Sequence, residues 1–161
     1  MLDYTFFTEV GEIILNLHGS SEVLNQYIAR LGDNYIVGNY KSTEYYIDSD
    51  KQPILLPSKP NDFSKFNYNT KQWEFEGNYL TRAKTLAYRN VNQTASDSIL
   101  EKYPYYRQLN AIGTSEYSAM RAWIDEVRAE SNVATSSIDL ATDLATIEGI
   151  VEGFIAYLAN L

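Results

Sequence analysis

The sequence predicts an α+β fold, in which a β-rich N-terminal domain over residues 1–76 precedes a helical region over residues 77–161. Three observations support this division. All four prolines lie at or before Pro104, and the first region is rich in Tyr, Phe, Ile and Val separated by turn residues. In the second region apolar residues repeat at helical spacing. A heptad stripe near the end predicts a terminal amphipathic helix over residues 138–161.

The N-terminal domain is predicted to contain short β-hairpins and one helix. Residues 4–7 and 13–17 form the first hairpin, and Gly11 supplies the positive φ that a bulged turn requires. A helix capped by Ser20 or Ser21 then follows, and a glycine ends it. Further strands are expected at residues 35–37, 44–47, 52–56, 65–68 and 72–75. The strands at 44–47 and 52–56 are expected to form one hairpin, and those at 65–68 and 72–75 another.

The helical region is predicted to be divided into several helices by polar segments, a proline and a glycine. The expected breaks lie at Asn92, Pro104, Gly113 and Ser131. Ser136 with Asp139 three residues later resembles a capping box, which predicts the start of the last helix.

That last helix carries seven apolar residues at heptad spacing. They are Leu140, Leu144, Ile147, Val151, Phe154, Leu158 and Leu161. Such a stripe buries itself against another helix, so it predicts an association helix that forms a homo-oligomer or docks on a partner helix. Helical hairpins within one domain use the same spacing, so packing on the helices around Val91 and Trp123 of the same chain is the alternative.

Composition argues against several classes of partner and location. The net charge is −8 and the pI is near 4.6, which disfavours binding to nucleic acid or to an anionic membrane. The first residues have neither a basic nor an apolar leader region, and no apolar stretch approaches the length of a membrane span. We therefore expect neither nucleic acid nor a membrane as a partner.

The sequence offers no recognisable catalytic set. The chain has no Cys, and His18 is its single imidazole, which excludes most serine hydrolases and most zinc sites. Asp48 and Asp50 fail the calcium-loop pattern and are interpreted as a hairpin turn. No glycine-rich phosphate loop occurs. We expect no enzyme activity, catalytic residue, metal or cofactor.

Fourteen tyrosines are the second unusual feature of the chain. Tyr buries a large ring at low entropic cost while its hydroxyl tolerates water, so it suits interfaces and sugar-binding surfaces. Two interpretations stay open for the aromatic residues of the first region. They fill the core of a small sheet domain, or the outward members, with Tyr45 and Trp73 as candidates, form a contact patch for a protein or a glycan.

Two runs of residues carry a resemblance to known proteins. The first consists of Tyr45, Tyr46, Ile47, Asp48, Pro53, Pro57, Pro60, Phe63, Phe66, Asn67, Tyr68 and Trp73. It resembles the hairpin segment of tail-fibre and tail-fibre-assembly-like accessory proteins of tailed bacteriophages. The second consists of Tyr103, Pro104, Arg107, Gln108, Leu109, Asn110, Gly113, Thr114, Met120, Trp123, Ile124, Arg128, Ser131 and Asn132. It resembles a helical module that recurs in phage tail proteins.

The resemblance covers residues 45–132 and implies a virion tail component that is assembled in the host cytoplasm. It implies other tail or fibre proteins as partners, at the baseplate or the tail-fibre attachment. Arg107 and Asn110 share one face of a helix, either as a packing and capping cluster or as an interface. A non-enzymatic structural protein is the first expectation, and a tail-fibre assembly chaperone or a glycan-binding receptor module is the alternative.

Overall fold

The computed structural model describes every residue from Met1 to Leu161, and the chain divides into two compact units, Met1–Glu76 and Gly77–Leu161. The predicted α+β fold is confirmed. The strands are β1 (Leu2–Phe7), β2 (Ile13–Gly19), β3 (Tyr35–Val37), β4 (Tyr45–Ile47), β5 (Pro53–Leu55), β6 (Ser64–Asn67) and β7 (Gln72–Phe75). The helices are α1 (Ser21–Leu31), α2 (Tyr79–Lys102), α3 (Tyr105–Ala111), α4 (Glu116–Leu140) and α5 (Leu144–Ala159). No helix is both long enough and apolar enough to cross a bilayer.

In the first unit, β1 is the central strand of a three-stranded antiparallel sheet in the order β2–β1–β3. Tyr4 and Phe6 alternate onto one face, where Leu24 of α1 packs against them. The register to β2 shifts between Phe6 and Phe7, and both residues are buried, as are Tyr4 and Thr5 before them in this central strand. Phe7 belongs to a second core with Ile47 of β4. The sheet therefore has a core beneath α1 and another at β4.

Two separate hairpins, β4–β5 and β6–β7, complete this unit. In the first hairpin turn, the Asp48 carboxylate accepts hydrogen bonds from the backbone N–H groups of Asp50, at 3.0 Å, and Gln52, at 2.8 Å. This is the turn role that the sequence predicts for Asp48. Lys51 and Lys71 adopt positive φ where the two hairpins reverse direction.

In the second unit, the predicted break at Asn92 is wrong, because α2 continues through it as one helix of 24 residues. Val91 and Ala95 are buried on either side of the polar segment, on the side of α2 that packs against α4 and α5. Burial of a continuous helical face outweighs the weak local propensity of Asn, Gln and Thr.

The predicted break at Ser131 and the predicted helix start near Ser136 are also wrong, because α4 runs on to Leu140. Ser131 is buried in this helix instead of ending it. The residue that caps the last helix is Asp143, whose carboxylate accepts a hydrogen bond from the backbone N–H of Thr146 at 2.8 Å.

Asp139, the predicted capping partner of Ser136, binds α2 instead. Its carboxylate accepts a short hydrogen bond from the Tyr88 hydroxyl, and its carbonyl accepts one from Lys84 Nζ at 2.7 Å. The bond to Asp139 raises the pKa of the Tyr88 hydroxyl. These contacts connect the end of α4 to the first half of α2.

Helix α5 packs against α2 and α4 of its own unit. Ile147 and Phe154 are buried in this packing, and the Tyr157 hydroxyl donates a hydrogen bond to the Glu126 carboxylate of α4 at 2.9 Å. The structure thus shows the intramolecular packing that the sequence left open as an alternative.

The cap at Asp143 should make the stability of the helical unit depend on pH. The Thr146 backbone N–H, followed by its hydroxyl, holds the pKa of the Asp143 carboxyl below its usual range. Because the pKa is lower in the folded state than in the unfolded chain, the ionised cap stabilises the folded state at every pH above the ordinary carboxyl pKa. This stabilisation is lost as the pH falls through the folded-state pKa. We expect Asp143→Ala to lower the melting temperature by a few degrees at pH 7.

Thermal denaturation of the wild type and of Asp143→Ala at pH 7 and at pH 2.5 checks this expectation. The difference between the two proteins should be much smaller at the lower pH. Glu152→Ala is the matched control, because Glu152 is an exposed carboxylate in the middle of the same helix. Equal melting temperatures of wild type and Asp143→Ala at pH 7 would contradict the role of the cap.

Candidate functional site

The first unit gathers three aromatic residues of the first resemblance run around Phe66, which is buried. The Phe66 ring lies 5.5 Å from the ring of Tyr46 on β4. Tyr68 and Trp73 meet it edge-on at 5.2 and 5.4 Å, an arrangement that aromatic rings favour. The indole N–H of Trp73 donates a hydrogen bond to the carbonyl of Pro57 at 2.9 Å. The run thus builds one aromatic cluster that fixes the segment after β5.

A cavity of about 820 Å³ borders this cluster. Phe66, Tyr68 and Trp73 contribute to its lining, and the ammonium of Lys59 lies 6.0 Å from the centre of the Trp73 ring. The charged residues of the lining are Glu12, Glu44, Lys59, Lys65 and Glu76. This volume lies within the range of ligand pockets, so the cavity is large enough for several side chains of a partner.

The Tyr68 hydroxyl stays protonated at neutral pH. Partial burial, and then the Glu12 carboxylate, raise the pKa of this group. A neutral phenol donates one hydrogen bond and also accepts. The aromatic cavity therefore offers a hydroxyl donor beside apolar ring surface.

The two aromatic residues singled out from the sequence have different environments. Tyr45 is half-buried, lies edge-on to Tyr40 at 5.4 Å and packs on the core around Ile47. Trp73 is half-buried at the cavity. Tyr45 thus contributes to the core, while Trp73 combines a packing role with access to a ligand.

In the second unit, the second resemblance run forms the junction of α2, α3 and α4. The rings of Tyr103 and Trp123 meet at 5.6 Å, and the Arg107 guanidinium lies 5.1 Å from the centre of the Tyr103 ring. Arg107 also donates two hydrogen bonds to Glu116, at 2.6 and 2.9 Å. The side-chain amide of Gln108 donates to the Tyr103 carbonyl at 2.6 Å. Arg107 is therefore held by contacts within its own unit.

Helix α3 leaves large apolar side chains in solvent. Tyr105, Tyr106, Leu109 and Ile112 are between 62% and 71% exposed, and we call these four residues the α3 surface. Asn110 is exposed on the same short helix. A cluster of exposed apolar side chains is typical of a protein contact site. The sequence does not distinguish this surface from a buried face, because both have the same helical spacing.

The heptad residues do not act together as one exposed stripe. Leu140 is the last residue of α4 and is 83% exposed, so its predicted place in the terminal helix is wrong. The half-buried members are Leu144, Val151, Leu158 and Leu161, and the buried members are Ile147 and Phe154. The backbone is extended at Ala141, and a new helix begins after the Asp143 cap. This break interrupts the heptad that the sequence predicts to be continuous.

Comparison with known proteins gives a distant similarity. The chain is 25% identical over 122 residues to tRNA pseudouridine synthase A 2 of Bacillus cereus (strain ATCC 10987 / NRS 248). The aligned part is 74% of this chain and 50% of that protein, so the chain spans about half the length of this curated relative. No protein-family model matches the chain, and no solved structure matches it. The structure brings together no group of three or more His, Cys, Asp or Glu side chains suited to a metal ion.

Proposed function

We propose that this protein is a non-enzymatic structural component of a bacteriophage tail, at the baseplate or the tail-fibre attachment, and that it acts through protein–protein contacts. The observation that carries the proposal is the α3 surface, which lies in the segment spanned by the run that resembles helical modules of phage tail proteins and shares Leu109 with that run. Tyrosine is enriched at protein interfaces. Covering exposed Leu and Ile side chains with a partner removes apolar surface from water, which favours binding.

The contacts of the two resemblance runs support this proposal. Trp73 and Gln108 donate hydrogen bonds to carbonyls of their own units, and Arg107 binds Glu116. These contacts hold α3 and the aromatic hairpins in fixed positions. A fixed helix lowers the entropic cost of binding a partner, because the backbone that carries the contact residues is already placed.

The distant relative supports a second candidate function, the modification of tRNA. The chain carries a net charge of −8, and RNA binding gains most of its affinity from clustered cations. Binding of fluorescent tRNA at 50 and 200 mM salt tests this candidate. We expect no binding at either salt concentration, whereas salt-dependent binding followed by pseudouridine formation would replace the structural proposal.

The location of the protein tests the structural proposal. Phage particles that carry an epitope-tagged copy are purified, and the tagged protein is located by immunogold labelling in negative stain and quantified by mass spectrometry. We expect the tag at the tail in a fixed ratio to other tail proteins. A chaperone would bind fibre protein during expression and be missing from the finished particle, and that outcome would contradict a structural role.

A charge placed in the α3 surface should prevent incorporation into the particle. We expect Leu109→Glu to fold normally, since this side chain is exposed, and to reduce the copies per particle by at least about tenfold, because an interface would bury an unpaired carboxylate. Leu86→Glu is the matched control, because Leu86 is an exposed leucine on α2 outside this surface. If the Leu109→Glu protein is incorporated at the wild-type level, the α3 surface is not the contact.

A further inference from the structure

A smaller cavity of about 300 Å³ lies among α2, α3 and α4 of the helical unit. Tyr105 of the α3 surface lines it, together with the polar residues Asn92, Ser96, Gln108, Arg128, Ser131 and Asn132. Ala95, Ile99 and Leu100 of α2 add an apolar part. A pocket of this kind, with apolar surface beside a few placed polar groups, is the usual design of a small-ligand site.

Arg128 is the one charged residue in this lining, in a chain whose net charge is −8. The carboxylate nearest to pairing with it is that of Asp125, whose Oδ1 lies 3.7 Å from a guanidinium nitrogen of Arg128. The same oxygen lies 3.7 Å from a guanidinium nitrogen of Arg121. Both distances exceed hydrogen-bond length, and one carboxylate lies between two guanidinium groups. Asp125 therefore holds Arg128 only in a long ion pair, and the Arg128 side chain is 58% exposed, so its N–H donors are open to an anion from solution.

The neighbouring polar groups add hydrogen-bonding capacity. Ser131 is only 5% exposed, and its hydroxyl lies 3.4 Å from Oδ1 of Asn92, a long distance for an O–H···O bond. A buried hydroxyl with such a weak partner is stabilised when it donates a shorter hydrogen bond to a better acceptor. Asn132 follows it on α4 and also lines the cavity, with an amide that has two N–H donors.

We propose that this cavity binds a carboxylate group that is attached to a short aliphatic chain. Arg128 binds the two carboxylate oxygens through paired N–H donors, and Ser131 and Asn132 donate further hydrogen bonds. Ile99 and Leu100 accommodate the aliphatic part. A free dicarboxylic acid and a glutamate side chain of a partner protein share this chemistry. The assignment does not rest on the proposed tail function.

Nuclear magnetic resonance of the full-length ¹⁵N-labelled protein tests the assignment. The Arg128 Nε–H signal and the amides of Ser131 and Asn132 are followed while glutarate, or a capped Ala-Glu-Ala peptide, is added at constant ionic strength. We expect saturable shifts at these three residues. Arg128→Met should weaken the binding by at least about tenfold, and Arg128→Lys should also weaken it, because lysine keeps the charge but loses the paired donors.

Arg121→Met is the matched control, because Arg121 lies on the same helix at the same distance from Asp125 but does not line the cavity. It should change the affinity by less than about twofold. Asn132→Ala, at an exposed position, provides a second variant whose fold is preserved. Tighter binding of the peptide than of glutarate identifies a partner side chain, and the reverse identifies a free acid. The absence of saturable shifts, an equal loss in Arg121→Met, or tighter binding of inorganic phosphate would overturn the proposal.

Discussion

Replacing Phe154 by alanine is expected to lower the free energy of unfolding of the helical unit by about 3–5 kcal/mol. Phe154 is 3% exposed and lies on α5, which packs against α2 and α4. Its removal loses the transfer free energy of a large ring and leaves a cavity that the surrounding helices fill only in part. Small domains are stable by about 5–15 kcal/mol, so this one substitution removes a large part of the total.

Urea unfolding followed by tryptophan fluorescence measures this loss for the helical unit alone. The chain contains two tryptophans, Trp73 and Trp123, so a Trp73→Phe background leaves Trp123 of α4 as the reporter. Ile155→Ala in the same background is the control, because the adjacent Ile155 is exposed and should cost much less. If Phe154→Ala instead changes the oligomeric state without a loss of stability, the heptad serves association between chains.

Much of the first unit could be predicted from local sequence, because its elements are short and bounded by turn residues. The strand at residues 35–37 and the one at residues 72–75 have the predicted bounds. Helix α1 begins after Ser20, one of the two predicted caps, and ends before Gly32 as predicted, although the Ser20 side chain makes no capping hydrogen bond. These segments combine β-branched, aromatic or amphipathic patterns with a nearby turn signal, so local preference and tertiary packing agree.

The helical unit was less predictable, because tertiary packing there overrides local preference. The Asn-Gln-Thr segment after Val91 and the buried Ser131 resemble helix ends in sequence, but each lies inside a long helix whose apolar neighbours are buried. Ser136 and Asp139 match a capping pattern, whereas the cap is Asp143. Local polar residues therefore predict a helix end only where no neighbouring helix covers the adjacent apolar positions.

The candidate contact sites were predictable only in part. The aromatic run identified Trp73, which lines the large cavity, and also Tyr45, which packs in a core. Alternation along a strand cannot separate these environments, because both residues lie in strands of only three or four residues, too short for a clear alternation. The α3 surface was missed because an apolar helical face has the same spacing whether it is covered by its own chain or exposed.

Gly11 is a position where the sequence correctly predicted a positive φ but could not reveal the greater constraint. Its φ is +87°, and its carbonyl accepts a hydrogen bond from the backbone N–H of Ile47 at 2.9 Å. A Cβ at this position would lie 1.8 Å from the Ile47 carbonyl oxygen. Since that oxygen belongs to the backbone of β4, relief of the clash requires the first hairpin and β4 to separate.

Gly32 provides a matched comparison, because its φ is +86° and a Cβ there would meet nothing within 4 Å. We expect Gly32→Ala to lower the free energy of unfolding by about 1–3 kcal/mol, because its φ of 86° with ψ of −175° is a backbone conformation that essentially only glycine adopts. Gly11→Ala should exceed this loss by about 1–3 kcal/mol or more, because the clash adds to the strain of its own positive φ.

Urea unfolding in a Trp123→Phe background measures both variants through Trp73, which reports on the first unit. The two glycines have nearly the same φ, and only Gly11 would bring a Cβ against the backbone of Ile47, so a larger loss in Gly11→Ala reports mainly on that contact. Equal losses would mean that β4 moves aside at little cost and that the glycine is required only for its φ. A much larger loss in Gly11→Ala would show that the first hairpin and β4 unfold together, since the backbone contact at Ile47 joins a buried core residue of β4 to the turn.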